Sequence, residues 1–136
     1  MILIVCLDDR NGMLFHDRRQ SQDKILRARI LKLCHGVPLW MNAYSASQFE
    51  ESNSDLRVAE DYLQEAGAGE FCFVENADLS DVLDRTEGIV IYRWNRSYPA
   101  DVTFPEALFS EKWTLVSKED FAGSSHDRIT QEVYDL

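Results

Sequence analysis

Gly88-Ile-Val-Ile-Tyr-Arg-Trp-Asn95 leads into Ala100-Asp-Val-Thr-Phe-Pro105, then Trp113-Thr-Leu-Val-Ser117, then the closing run from His126 to Leu136, and this ordered stretch decides the fold. The first run reads as a strand. The last two runs read as strands joined by Asp120-Phe-Ala-Gly-Ser-Ser125, a hairpin-type extension. The sheet is therefore expected to be mixed, parallel in its centre and antiparallel at one edge. Working outward, strands are expected near 1–7, 37–42, 70–75, 88–95, 113–117 and 128–135, alternating with helices in the pattern of an α/β domain. A helix is expected over 21–35, where Ser21 and Asp23 offer N-terminal caps and Leu26, Ile30 and Leu33 share one face. Shorter helices are expected over 44–51, 59–66 and 78–85.

The chain has 136 residues, which bounds it to a single domain over 1–136. No apolar run approaches the roughly 20 residues of a membrane helix, and Met1-Ile-Leu-Ile-Val-Cys-Leu7 ends in Asp8-Asp9 without a preceding positive charge, so it reads as a buried strand and not a signal peptide. Cys6, Cys34 and Cys72 sit in apolar settings without Cys-x-x-Cys spacing, which points to reduced thiols in a cytoplasmic protein. Net charge is −10, distributed as +3 over residues 1–49 and −13 over the rest. Such an acidic chain is a poor partner for nucleic acid, whose binding rests on phosphate neutralisation. The polarity leaves room for a small anion on the basic segment, a basic protein partner, or a second copy.

The order of these elements resembles the dihydrofolate reductase family. In that family a strand is followed by a Gly-Asp-Thr-x-Phe-Pro turn, a tryptophan some eight residues on, an acidic connection and a last strand ending near Tyr-Glu; here Asp101, Phe104, Pro105, Trp113 and Glu132-Val-Tyr134 fall into step. Met1 to Arg10 resembles the family's first strand and turn, Gly36-Val-Pro-Leu-Trp-Met41 its Gly-Lys-Pro-Val-Ile-Met strand, and Phe71-Cys-Phe-Val74 its middle strand. The resemblance implies an α/β fold with a central, mostly parallel mixed sheet, helices on both faces and an antiparallel C-terminal edge.

The chemistry that the resemblance implies is not matched. Counting back from Pro38, the buried acid of the first helix falls at about Leu26, which can neither order a proton-donating water nor bind a pterin amidine. Asp23 substitutes only in a shifted register. The loop before that helix lacks the Pro-Trp pair, and the Gly-Gly turn facing the cofactor is replaced by Glu75-Asn76, where a carboxylate would repel pyrophosphate. Ala43-Tyr44-Ser45 stands where a basic residue is expected, and the span from Phe49 to Phe71 is about half the family's length. NADPH is therefore not expected as a cofactor, nor dihydrofolate reduction as an activity. His16, His35 and His126 show no metal-ligand spacing, and Ser124-Ser-His-Asp127 reads as a turn with its own caps.

In the resembled fold three places border one cleft: Arg18 and Arg19 in the altered loop, Glu75 and Asn76 after the middle strand, and Tyr92 and Trp94 at the end of the next strand. Ligands of open α/β sheets lie beyond the carboxyl ends of the strands, so this set suits a small heterocyclic or nucleotide-like ligand. The competing readings are a pairing of Glu75 with Arg93 or Arg96 that only closes the cleft, a ligand-free interaction module or homodimer, and an oxidoreductase with a non-folate substrate.

Overall fold

The computed structural model describes residues 1–49, 53–105 and 112–135. Strand β1 (Ile2–Leu7) has no polar position and lies mid-sheet, parallel to both β6 (Phe71–Phe73) and β7 (Gly88–Arg93). A strand with parallel neighbours and apolar side chains on both sides is buried on both faces, and Leu3, Ile4, Val5 and Leu7 are all fully buried. β4 (Leu39–Met41) and β5 (Leu56–Val58) extend the parallel part on one flank. On the other flank β10 (Ile129–Asp135) runs antiparallel to β7, and β9 (Thr114–Phe121) antiparallel to β10, giving the order β5-β4-β6-β1-β7-β10-β9. A separate three-stranded sheet, β3-β2-β8, is built from β2 (Gly12–Phe15), β3 (Arg18–Arg19) and β8 (Val102–Thr103).

Alternation along the strands sends side chains into two cores. Helix α1 (Lys24–Leu33) lays Leu26 and Ile30 on one face of the sheet, against Leu39, Met41, Phe73, Tyr92 and Trp94. The opposite face is covered by Tyr62 and Leu63 of α3 (Tyr62–Glu65) together with Leu79, Val82 and Phe104. The expected mixed sheet with helices on both faces and an antiparallel C-terminal edge is what the chain forms.

The lengths of the lesser elements differ from expectation. The span 78–85 holds only a 3-10 turn at Leu83–Arg85, because the Asp78 carboxylate accepts from Ser80 N and Oγ and so offers the backbone a turn in place of a helix. Of 59–66 only one turn is helical, since Ala59 N is still donated to Met41 O on the sheet edge. The expected helix 44–51 is a single turn, α2 (Ala43–Ala46), capped by Asn42; residues 50 and 51 lie outside the described residues. β9 continues to Phe121, four residues beyond its expected end at 117, held by pairing with Ile129 and by the Thr130 Oγ1 to Asp120 Oδ1 bond of 2.6 Å. β2, β3, β5 and β8 are too short to carry an alternation and were not expected.

Ile91 is central in β7 and fully buried. Ile91→Ala should destabilise the fold by about 2–5 kcal/mol, lost transfer energy plus a cavity, measured as a lowered urea midpoint with an unchanged slope.

Candidate functional site

The site is built from the chain that leaves β1 and returns as α1. Asp8, just after β1, is almost wholly buried yet accepts four hydrogen bonds: Oδ1 from the backbone N–H groups of Arg10 and Gly12, Oδ2 from Gln20 Nε2 and Tyr98 N. Burial opposes its charge, but those donors outweigh it and hold the carboxyl below its ordinary value. A Cβ at Gly12 would lie 2.6 Å from Gln20 Nε2 and 2.7 Å from the Ala100 side chain, so glycine is required there. His16 and Asp17, both with positive φ, form the two-residue loop that turns β2 into β3, with Phe15 opposite Arg18.

This hairpin delivers Arg19 to the end of β6. Arg19 Nε donates to Glu75 Oε2 at 2.9 Å and Nη2 to Glu75 Oε1 at 3.2 Å, a two-pronged pair, while the guanidinium lies 4.4 Å over the Tyr44 ring. Gln48 Nε2 donates to the same Oε1 at 3.1 Å, and Tyr44 Oη accepts from Arg19 N. Burial works against the Arg19 charge, but the Glu75 contact more than offsets it and raises its pKa. The cavity left among Cys6, Arg19, Ser21, Glu75 and Trp94 is about 10 Å³, room for no more than one water.

Behind it lies a buried polar network. Asp23 caps α1, its Oδ1 accepting from Ile25 N, Leu26 N and Ser124 N, and its Oδ2 from Ser125 N at 2.8 Å and Ser125 Oγ at 3.1 Å. Oδ2 also faces His126 Nδ1 at 3.2 Å. Burial again raises the pKa, yet these donors win and Asp23 stays far below the usual carboxylate range. The His126 ring stacks on Trp94 with centroids 4.6 Å apart, and its Nε2 faces Ser21 Oγ at 3.2 Å and Tyr98 Oη at 3.0 Å.

The sequence-derived residues thus separate. Arg19, Glu75 and Trp94 meet around the small cavity. Arg18 is exposed. Tyr92 is wholly buried in the α1-side core, with its hydroxyl donated to Gln131 Oε1 at 2.9 Å and its ionisation disfavoured by burial. Asn76 is exposed, accepts from Asn42 Nδ2, and lines a hollow of about 500 Å³ with Met13, Asp17, Asp78, Leu79 and Val102. Glu75 pairs with Arg19, whereas the sequence reading of a closed cleft placed Arg93 or Arg96 opposite it; Arg93 instead donates to Glu132 and Asn11. The His126 network was missed because its members are about 100 residues apart in sequence and no local pattern links Asp23 to Ser124-Ser-His. Among the described residues no group of three or more His, Cys, Asp or Glu side chains is arranged to hold a metal ion. No helix among them is long and apolar enough to cross a membrane.

Compared with solved structures, the chain is similar to the dihydrofolate reductase from Enterococcus faecalis complexed with NADP(H) and RAB-propyl, with a TM-score of 0.68 over 98% of this chain and 94% of that one at 10% sequence identity. The chain therefore has a dihydrofolate reductase-like fold. No protein-family model matches the sequence, and no curated protein matches it.

The fold favours ionised Asp23, so its contribution is complete above the free aspartate pKa of about 4 and is lost as pH falls below it. Asp23→Asn should cost about 1–3 kcal/mol at neutral pH. In thermal melts at a series of pH values, the gap between variant and wild type should shrink as the solution is acidified past that pKa. Parallel curves would contradict the assignment.

Proposed function

We propose that the protein binds a small heterocyclic ligand, base- or nucleoside-like, in the hollow beside Asn76, and does not reduce dihydrofolate with NADPH. The observation that carries this reading is a contrast of volumes: about 10 Å³ is left where Arg19 closes on Glu75, against about 500 Å³ beside Asn76. Only the larger is of ligand size. Its lining is mixed, with Met13, Leu79 and Val102 supplying apolar faces and Asn76, Asp17 and Asp78 supplying hydrogen-bonding groups. Two carboxylates at the rim favour a donor-rich amino-heterocycle and disfavour phosphate.

Loss of reductase chemistry is supported by the same residues. Leu26, at the position of the expected acid, is buried in the α1-side core. Asp23, the substitute in a shifted register, has its oxygens occupied by donors of its own chain. The enterococcal structure holds NADP(H), whereas in this chain Asp17 and Asp78 bring negative charge beside the turn after β6 and Arg19 is engaged by Glu75. A cytoplasmic setting accords with three free cysteines, of which Cys34 and Cys72 are pushed by burial up to about 12 and so stay thiols at neutral pH.

Methyl-detected NMR titration tests the site. Adenosine should shift the Met13, Leu79 and Val102 methyl signals, adenosine monophosphate should do so at least several-fold more weakly, and Leu79→Trp should abolish both. Equal response to the two ligands, or shifts confined elsewhere, would sink the reading. Incubation with NADPH and dihydrofolate should give no absorbance change above the protein-free rate, and turnover would overturn the second half.

Self-association is favoured by one observation. β9 is an edge strand of eight residues, and Leu115 and Val116 on it are 46% and 53% exposed; such edges pair readily with another strand. Native mass spectrometry should then show a dimer that Val116→Lys dissociates.

A further inference from the structure

We infer that Ser21, His126 and Asp23 form a hydroxyl–imidazole–carboxylate relay in which Ser21 is a nucleophile toward small acyl esters. This site is separate from the hollow beside Asn76 and does not depend on a ligand there.

The geometry is linear through the imidazole. Asp23 Oδ2 lies 3.2 Å from His126 Nδ1, and Ser21 Oγ lies 3.2 Å from Nε2 on the far side of the ring. An ionised carboxylate only accepts, so a proton on Nδ1 is the one that serves Asp23 Oδ2, with Ser125 Oγ also 3.1 Å from Nδ1, and in that tautomer Nε2 is the acceptor that faces the hydroxyl. Ring orientation is fixed twice over, by Asp23 at one edge and by the Trp94 face. The clamp between α1 and the β9–β10 connection is already made by four backbone donors to Asp23, from Ile25, Leu26, Ser124 and Ser125. A nitrogen aimed away from that clamp at a hydroxyl is not needed for it. Burial also grades along the relay: Asp23 and His126 are 2% and 4% exposed, while Ser21 is only half-buried and lines the cavity beneath Arg19. That is the gradient an acyl-transfer relay needs, with a fixed acid, a shielded base and the hydroxyl on the least buried of the three residues.

Tyr98 Oη is 3.0 Å from the same Nε2. One lone pair accepts one proton at a time, so when Ser21 donates to Nε2 the Tyr98 O–H is free to donate to oxygen developing charge on a substrate. Tyr98 also lines a hollow of about 390 Å³ with Phe15 and Pro99, which can take an acyl or leaving group. The electrophile that suits such a hydroxyl is a neutral carbonyl, since Asp8 and Glu75 already take donors from the chain and Arg19 is engaged by Glu75. The step balances. Ser21 Oγ bonds to the carbonyl carbon as its proton passes to His126 Nε2, and the carbon–oxygen bond to the alcohol breaks as Nε2 returns that proton to the alkoxide. Water then attacks the acyl-Ser21 carbonyl, its proton passing through Nε2 to Oγ; ester and water become acid and alcohol. Asp23 acts only through His126 and is a positioning residue.

Diisopropyl fluorophosphate followed by intact and peptide mass spectrometry tests this on the whole chain. The wild type should carry one adduct on Ser21, Ser21→Ala none, and His126→Gln should label at least 100-fold more slowly. An unlabelled wild type, an adduct on Tyr98, or labelling unchanged in His126→Gln would overturn the relay. Should His126→Gln not fold, Ser21→Cys keeps the test open with His126 in place. Its thiol should react with iodoacetamide at about neutral pH at least tenfold faster than free cysteine, and an equal or slower rate would overturn the proposal.

Discussion

The Asp23 carboxylate is the point on which two distant parts of the chain depend. It caps α1, the longest helix among the described residues, and, with the same two oxygens, receives backbone N–H groups from the connection between β9 and β10. A helix cap alone is worth about 1 kcal/mol; here the same charge also fixes where the antiparallel hairpin sits on the parallel sheet. The space around it permits nothing larger than a hydrogen, because a Cβ at Gly123 would run into Asp23 and into Ile129, 2.9 Å away. Stability, helix position and the orientation of His126 therefore rest on one buried anion that stays ionised because donors surround it.

A second anion shapes the chain just beyond β6. Glu75 stands at the end of β6 and is 9% exposed, a position in which an unpaired carboxylate would be costly. Arg19 and Gln48 meet that cost by converging on it, and the convergence uses up the cleft. The β2–β3 hairpin that carries Arg19 is in turn held by Asp8, which binds Gln20 and the chain at Tyr98 together. Three buried carboxylates, Asp8, Asp23 and Glu75, thus organise the end of the sheet where the parallel strands β1 and β6 finish. An acidic protein uses its basic N-terminal segment partly to satisfy its own interior charges.

The open space near that end lies to the side of the Arg19–Glu75 contact. The roomier hollows lie against the small β3-β2-β8 sheet, bounded by Met13, Leu79 and Val102 in one case and by Phe15 and Tyr98 in the other. The same loop that closes the cleft walls both hollows, so any change in its position alters cleft and hollows together.

The main strands and the buried helix face were legible from sequence because they rest on local patterning: an apolar run in β1, another in β7, and Leu26 with Ile30 on α1. The mixed sheet followed from the hairpin-type extension at the end of the chain, and the resemblance in the order of elements survives at 10% identity because burial constrains residue class more than residue identity. Sequence also marked Arg19, Glu75 and Trp94 as neighbours. It could not say that Arg19 is the residue that pairs with Glu75, nor that Tyr92 turns into the core, since a strand's period leaves the choice of face to the sheet's partners. The short strands of the second sheet had too few residues to show a period. His126 looked like one of three scattered histidines until the fold carried it about 100 residues back along the chain to Asp23. Sequence by itself determined which segments must be buried, and tertiary structure decided which charges meet, because hydrophobic patterning is local while a buried ion pair is a fact about two distant places at once.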